Sequence, residues 1–356
     1  MSKPRLIAFY LPQFYPTKEN DEWWQKGFTE WTNVGNAKPL FKGHYQPRVP
    51  ADLGYYDLRI PEVRIQQAEL AKEAGIEGFC YWHYWFSGRR LLDRVFSEVV
   101  NSGEPDYPFC LCWANHSWYQ KTWDPTKPDR LLIEQEYPGE EDYKNHFYAM
   151  LPAFKDKRYM KVGDKLIFGV YDPMAIPDFK KFEEIWNYLA QENGLSGFYF
   201  CGFTYKKEAT AEIINRGFDS AVLDNVMTAK EKEKTIITRL KRRWFQIPEK
   251  FDYDSYSKWM LSLYDVSDKV HPCIVPNFDH SPRSKERGVV ITNHTPEKWE
   301  RLCNQVFNLC GGRKEQENIV FIKSWNEWGE GNYLEPDLKF GREFIDATRK
   351  AFDKID

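Results

Sequence analysis

The residues best suited to catalysis are two glutamates, Glu327 and Glu330, which stand three positions apart in the segment WNEWGEG near the end of the 356-residue chain. Glycosyl transfer uses two carboxyl groups, one that protonates the departing oxygen and one that acts as base or nucleophile. An extended strand would point the two side chains to opposite faces, but Gly329 and Gly331 permit a bend that turns both into one cleft. The pair predicts chemistry at a sugar; the alternative is that one glutamate is a loop anchor in an ion pair.

Aromatic residues are unusually abundant, since 14 Trp, 21 Tyr and 25 Phe make up 17% of the chain. Such side chains fill protein cores, but their faces also stack on the C–H faces of sugars. Several of them stand beside amides and imidazoles at the ends of apolar runs, which predicts that they converge with the two glutamates. The residues predicted to bind substrate are Tyr10, Gln13, Trp31, Trp82, His83, Tyr84, Trp113, Asn115, His116, Trp118, Tyr171, Trp325, Asn326, Trp328, Tyr333 and Glu335.

Other chemistries find little support in the sequence. The chain has no HxH after its first apolar run and no HExxH, so no metal site is predicted. It also has no GxSxG, and no serine triad can be assembled by position. With 50 Lys and Arg against 53 Asp and Glu, the net charge of −3 is unlike that of a nucleic-acid-binding protein. We expect a carbohydrate substrate, no cofactor, no nucleic-acid partner and no obligate protein partner.

Eight short apolar or β-branched runs alternate with longer amphipathic stretches, which is typical of repeated βα units. The runs are Arg5 to Leu11, Gly75 to Trp82, Pro108 to Trp113, Lys165 to Tyr171, Gly197 to Phe203, Phe218 to Leu223, His271 to Pro276 and Asn318 to Trp325. Eight such units predict an α/β fold, a single (β/α)8 TIM barrel. The rival is a doubly wound open sheet, but the first run ends in LPQF rather than in a glycine-rich phosphate turn.

We predict one catalytic domain over residues 1–356, because no linker-like stretch divides the chain. Residues 15–60, after the first strand, are rich in Trp, Tyr, Pro and Gly and show little periodicity. A long irregular excursion is usually functional, and TIM-barrel active sites lie at the C-terminal ends of the strands. The 15–60 insertion is therefore predicted to cover the active face.

Two features favour a cytoplasmic protein. The N-terminal apolar segment is only six residues long, too short for a signal-peptide core, and no stretch approaches the ~18 apolar residues of a membrane span. The seven cysteines are odd in number, lack CxxC spacing and mostly lie in apolar runs, which predicts reduced core thiols without disulfides.

The densest positive charge lies in the irregular stretch from Thr228 to Lys250. Such a stretch is typical of a solvated helix face. Basic residues beside Trp244 and Phe245 also suit anionic headgroups, so a weak contact of residues 230–250 with a membrane or a lipid-linked glycan is the second interpretation.

Six segments carry a family resemblance: FYLPQFYP, GFTEWTNV, GHYQPRVPADLGYYDLR, GIEGFCYWHYWF, FCLCWANHSW and IKSWNEWGEGNYLEPD. They are similar to the WbsX-like family of polysaccharide-locus proteins. That family resembles glycoside hydrolase family 99, the endo-α-mannosidase and endo-α-mannanase group. The resemblance spans nearly the whole chain.

The resemblance implies a metal-free (β/α)8 barrel that acts on α-mannose-type linkages with retention. The family's glutamates fall on Glu327, which would deprotonate the sugar's own 2-hydroxyl for attack on C1, and on Glu330, which would protonate the leaving oxygen. The product of the first step would be an anhydro-sugar. Gly329 stands where the hydrolase motif usually carries His, a departure that bears on the substrate.

These observations favour a retaining glycoside hydrolase or transglycosidase for α-linked, mannose-like glycans. The alternatives are a glycosyltransferase in cell-surface polysaccharide, O-antigen or lipopolysaccharide biosynthesis, a label that WbsX-like proteins often bear, and a non-catalytic glycan-binding module. A nucleotide-sugar transferase would usually need a DxD-type metal motif on a Rossmann-like fold, and the sequence offers neither. An acid that works near neutral pH needs a raised pKa, which we expect at Glu330.

Overall fold

A computed structural model describes residues 2–121, 128–233, 244, 247–263 and 267–355. Its centre is a ring of eight parallel strands, which coincide with the eight apolar runs of the sequence. The barrel strands are β1 (Arg5–Tyr10), β2 (Gly78–Phe86), β3 (Phe109–Trp113), β4 (Lys165–Val170), β5 (Phe198–Thr204), β6 (Ser220–Asp224), β7 (Val270–Ile274) and β8 (Ile319–Ile322).

Parallel pairing is continuous around the ring. Strand β1 pairs with β8, where Arg5 lies opposite Ile319, and also with β2, where Ile7 lies opposite Gly78. The other strands pair in chain order. The predicted TIM barrel is confirmed and the open-sheet alternative is wrong, because a closed ring leaves no sheet edge.

Helices follow most strands, as the βα alternation of the sequence predicts. The helices are α1 (Lys18–Trp23), α2 (Glu30–Asn36), α3 (Pro61–Glu73), α4 (Arg94–Ser102), α5 (Glu140–Phe154), α6 (Phe179–Glu192), α7 (Ala209–Asn215), α8 (Val226–Glu233), α9 (Tyr253–Leu263), α10 (Ser281–Ser284), α11 (Pro296–Cys310) and α12 (Glu343–Asp353). Short strands outside the ring are Arg89–Leu91, Trp118–Gln120, Arg130–Ile133, Lys161–Val162, Glu249–Asp252 and Val289–Thr292.

The barrel strands are buried on both faces, which explains why they read as continuous apolar runs. Successive side chains alternate between the barrel interior and the layer under the helices. In β2, Trp82 stacks inward on Phe9 with ring centroids 4.5 Å apart. The next residue, His83, instead contacts His146 of α5. This alternation decides which aromatic side chains reach the active face.

The 15–60 insertion has more regular structure than its sequence predicted, because threonine caps stabilise two short helices. Thr17 accepts a hydrogen bond from the backbone of α1, and Thr29 forms a capping box on α2. Farther along, His44 and Gln46 bind the same oxygen of the buried Asp279 at 2.8 and 2.7 Å. The insertion is therefore fastened to the loop that follows β7.

Three further features bear on the cellular setting. All seven cysteines are buried free thiols. Within the described ranges, no helix is long and apolar enough to cross a bilayer. Of the basic stretch 230–250, residues 234–243 and 245–246 lie outside the described part of the chain, so the membrane or lipid-linked-glycan contact stays a prediction.

Close packing at the start of β2 generates a stability prediction. A Cβ added at Gly78 would lie 2.5 Å from the carbonyl oxygen of Pro108 and 2.7 Å from the sulfur of Met160. Gly78→Ala should therefore lower the free energy of unfolding in urea by about 1–3 kcal/mol. Gly35→Ala is the matched control, because a Cβ at this helical glycine meets nothing within 4 Å. The control should be neutral or gain up to about 1 kcal/mol; equal losses in both variants would contradict the packing argument.

Candidate active site

The turn that presents the two glutamates is a tight hairpin after β8. The short strands Asn326–Glu327 and Asn332–Tyr333 pair antiparallel, and Trp328–Glu330 forms one 3₁₀ turn between them. Gly331 closes the turn at φ 53°, a left-handed conformation that favours glycine. A Cβ there would also lie 2.8 Å from the Cβ of Asp279. The bend expected from the glycines is present.

A cleft of about 590 Å³ opens at the C-terminal mouth of the barrel, and both Glu327 and Glu330 lie on its wall. Every barrel strand contributes a residue, which for all strands but β2 follows the C-terminal end of the strand, where TIM-barrel active sites lie. In strand order these residues are Leu11, Trp82, Ala114, Tyr171, Tyr205, Val226, Phe278 and Lys323. Trp24 and Glu30 join them from the 15–60 insertion, so that segment covers part of the active face.

The two glutamates lie close enough for each to shift the pKa of the other, and they have different further partners. The indole Nε1 of Trp82 donates to Oε1 of Glu327 at 2.7 Å. Nη1 of Arg283 donates to Oε1 of Glu330 at 2.5 Å. Glu330 is thus both a cleft residue and a member of an ion pair, which were alternatives in the sequence interpretation.

These partners give the two carboxyl groups opposite pKa shifts. Burial, reinforced by the neighbouring charge of Glu330, raises the pKa of Glu327 to about 7. Burial would also raise the pKa of Glu330, but Arg283 and Lys323 outweigh it and lower this pKa to about 2. Between these values the pair holds one proton, which rests on Glu327. The expected raised pKa at Glu330 is wrong, because the sequence does not reveal which cations lie against it.

Lys323, the residue directly after β8, supplies a second buried cation. Its Nζ lies 3.4 Å from the hydroxyl of Tyr205 and 3.5 Å from Oδ2 of Asp224. Burial alone would lower the pKa of Lys323, but Tyr205 and Asp224 raise it well above its usual value. The ammonium group therefore stays charged on the cleft wall and adds to the stabilisation of ionised Glu330.

Six of the predicted substrate-binding residues line the cleft together with the two glutamates. They are Gln13, Trp82, Tyr84, His116, Trp118 and Tyr171. Trp82 and Tyr84 are two positions apart on β2 and therefore share its inward face. Desolvation by the surrounding protein lowers the pKa of His116, whose ring centroid lies 5.0 Å from that of Tyr171, so its imidazole is neutral at neutral pH.

Three other predicted residues belong to barrel strands but point away from the cleft. His83 and Trp113 alternate with the inward-facing positions, so they pack under the helices against His146. Tyr10 donates to the side chain of Gln67 on α3 at 2.7 Å. These three predicted substrate-binding residues therefore do not line the cleft.

The remaining seven predicted residues lie behind the cleft wall, where they support it. Asn326 bonds both backbone polar groups of Leu11, and Asn115 bonds both those of Asp172. Glu335 is buried beneath the turn and accepts hydrogen bonds from the side chains of Tyr56, Gln67 and Trp328. The indole of Trp31 donates to the Tyr56 carbonyl, Tyr333 donates to Asp337, and Trp325 is fully buried. Apart from the indole nitrogen of Trp325, their polar side-chain groups have internal hydrogen-bond partners, and none of the seven lines the cleft.

Several cleft residues were not predicted as site residues: Trp24, Glu30, Tyr205, His280, Arg283 and Lys323. Sequence signals existed for two of them, since Lys323 directly precedes SWNEWGEG and Glu30 lies in GFTEWTNV. Arg283 carries no such signal, because its position depends on the fold of the loop after β7.

Among the described residues, no cluster of three or more His, Cys, Asp or Glu side chains could hold a metal ion.

The coupling of the two carboxyl groups can be measured in the free protein. In a ¹³C NMR titration of labelled glutamate side chains, Glu327 should titrate near pH 7. In Glu330→Gln its midpoint should fall, because the neighbouring negative charge that disfavours ionisation is removed. Exposed Glu69→Gln on α3 is the control and should leave the Glu327 midpoint unchanged. A Glu327 midpoint near that of an ordinary glutamate in the wild type would contradict this assignment.

Two solved structures share this fold at low sequence identity. A glycoside hydrolase-like protein superposes with a TM-score of 0.62 and 13% identity over 99% of this chain and 94% of its own. The family 99 endo-α-mannosidase from Bacteroides thetaiotaomicron superposes with a TM-score of 0.57 and 13% identity over 99% and 98%. At such identities the likeness establishes the fold alone.

The sequence comparisons are more specific. Residues 6–348 match the family model described as "Glycosyltransferase WbsX". Two relatives described as "Uncharacterized protein WxcX", from two strains of Xanthomonas campestris pv. campestris, are each 36% identical over 351 residues. The matched region covers 97% of this chain and 49% of each relative, so the chain spans about half the length of these curated relatives. This chain belongs to the WbsX family.

Proposed function

We propose that this chain is a retaining glycoside hydrolase or transglycosidase for α-linked, mannose-like glycans, with Glu327 and Glu330 as catalytic residues. The observation that carries the proposal is a pair of neighbouring glutamates on the wall of an aromatic cleft, with the pKa of one raised and that of the other lowered. Glycosidases use two carboxyl groups, one as acid and one as base or nucleophile. The substrate class is suggested by the endo-α-mannosidase that shares the barrel.

The resting charges support Glu327 as the acid and Glu330 as the base. Glu327 holds its proton near neutral pH and can pass it to the departing oxygen as the bond from C1 breaks. Glu330 would accept the 2-hydroxyl proton as O2 attacks C1, which forms an anhydro-sugar. Water or a hydroxyl of an acceptor glycan then attacks C1, Glu327 takes its proton, and Glu330 returns the other proton to O2. Two inversions at C1 give net retention.

The aromatic side chains beside the pair would hold the sugar ring. Trp82 is fixed by its stacking on Phe9 and by its hydrogen bond to Glu327, so its ring stands directly beside the proton-bearing carboxyl. Trp118 packs edge-to-face against Tyr84 on the same wall. Rings held in this way are suitable platforms for the apolar face of a sugar.

Glutamine variants of the two glutamates test the acid and base roles when they are assayed on substrates with poor and with good leaving groups. Glu327→Gln should lose about 10²–10⁴ in rate on glycans with poor leaving groups and keep most activity on activated aryl glycosides, since only the former need protonation. Glu330→Gln should lose activity on both, and 2-deoxy substrates should not react. Glu69→Gln is again the matched control. The family resemblance implies the opposite roles, so a Glu330→Gln enzyme that is spared on aryl glycosides would reverse our assignment, and wild-type turnover in both variants would refute the function.

A glycosyltransferase of cell-surface polysaccharide or lipopolysaccharide synthesis is the second candidate, because the matching family model bears that description. Incubation with an α-mannoside distinguishes the two. Release of free sugar favours the hydrolase, whereas transfer from an activated sugar donor to an acceptor without any such release favours the transferase. Binding of glycans without either reaction would favour a glycan-binding module.

A further inference from the structure

Gly329 lies between the two glutamates in the turn Trp328–Glu330 and has no side chain. Other side chains approach it unusually closely. A Cβ added at Gly329 would lie 1.9 Å from Oε2 of Glu30 and 3.0 Å from Nε of Arg283. The φ of Gly329 lies outside the left-handed range, so its backbone does not require glycine. Position 329 is therefore glycine because there is no room for a side chain, and not because the backbone conformation requires it. Glu30 and Arg283 occupy the volume that a side chain at position 329 would fill.

The pair that fills this space also reaches Glu330. Arg283 donates through Nε and Nη2 to Oε2 of Glu30, at 3.2 and 2.9 Å, and through Nη1 to Oε1 of Glu330 at 2.5 Å. The guanidinium thus bridges two carboxylates with separate nitrogens, a geometry for which its planar fork is suited and a lysine ammonium is not. Glu30 is buried, so its carboxylate has little competing water.

The helix that bears Arg283 is fixed to the same turn. The Asp279 carboxylate accepts a hydrogen bond from the backbone of Ser281, the first residue of α10, at 3.0 Å. The backbone amide of Asp279 donates to the carbonyl of Glu330 at 2.7 Å. Arg283 and Glu330 are therefore held together through both the backbone and the side chains.

We propose that Arg283, held by Glu30 in the space left by Gly329, is the positioning residue that orients the Glu330 carboxylate and keeps it ionised. This inference rests on the proposed function of the two glutamates and deepens it. Arg283 acts through Glu330, whereas Glu327 takes its hydrogen bond from Trp82. The bridge therefore gives Glu330 a different electrostatic environment from that of Glu327, although both residues are glutamates.

Other titratable groups also lie near Glu330, and a test must distinguish their effects on its pKa from the effect of Arg283. The titratable and charged groups around this carboxylate are Arg283, Lys323, His280, Glu327, Asp224 and Tyr171, with Glu30 acting through Arg283. Of these, Lys323 has its own partners in Asp224 and Tyr205. Loss of Arg283 should therefore leave the second cation in place, and the change should be partial rather than complete.

The test compares four variants by ¹³C NMR titration of labelled glutamates in the free protein and by pH–rate profiles. Arg283→Met should raise the Glu330 midpoint by about 1–3 pH units, because an adjacent opposite charge is lost. Arg283→Lys should restore part of the shift, since it keeps the charge without the fork. Gly329→Ala should raise the midpoint less, because it loosens the bridge without removing its cation. Glu30→Gln should shift it less than Arg283→Met does, because the loosened bridge and the loss of a neighbouring negative charge act in opposite directions. Arg349→Met, far from the cleft on α12, is the matched control and should match the wild type.

In kinetics, Arg283→Met should lower kcat at least about 10-fold with a smaller change in KM, and the acid limb of its pH–rate profile should move to higher pH. An unchanged Glu330 midpoint in a folded Arg283→Met protein would overturn the inference. If that variant does not fold, Gly329→Ala decides, because Cβ at 329 displaces the end of the flexible Glu30 side chain, and an unchanged Glu330 midpoint in the folded variant would overturn the inference as well. The NMR result needs no turnover, so it stands even if the wild type releases no sugar and the proposed function fails.

Discussion

Two neighbouring carboxyl groups in a largely desolvated cleft cannot both be ionised without a large electrostatic cost, and the rest of the site follows from this constraint. The structure meets it by leaving one proton on Glu327 and placing two cations, Arg283 and Lys323, near Glu330. Both cations are themselves partnered, Arg283 by Glu30 and Lys323 by Asp224. The site is thus a set of alternating charges rather than a pocket of one sign.

The charges come from segments that are distant in the chain, and the barrel brings them together. Lys323 and the two glutamates follow β8, Arg283 follows β7, and Glu30 belongs to the insertion after β1. In a closed parallel barrel the C-terminal ends of these adjacent strands share one mouth. The buried contact of His44 and Gln46 with Asp279 fixes the insertion to this arrangement. The loops that carry these charges are therefore held together by buried polar contacts close to the glutamate pair.

The aromatic content serves two purposes that the alternation of the strands separates. Inward positions on β2 place Trp82 and Tyr84 on the cleft wall, and the position between them places His83 against the helix layer. The aromatic residues of the turn, such as Trp328, are buried behind it and bind Glu335. The aromatic residues near the strand ends thus fall into two groups. Some are candidates for stacking on a sugar, and the others pack behind the cleft wall and support it.

The sequence by itself determined the barrel and the place of the glutamate pair, because βα alternation and a glycine-flanked strand-end motif are local patterns. It also contained the information that His83 faces away from Trp82 and Tyr84, but only once β2 is known to continue to Phe86. Tertiary structure alone decided which glutamate keeps the proton. Arg283 reaches Glu330 across 47 residues and Glu30 across 253, and electrostatic shifts depend on distance in space rather than on separation along the chain.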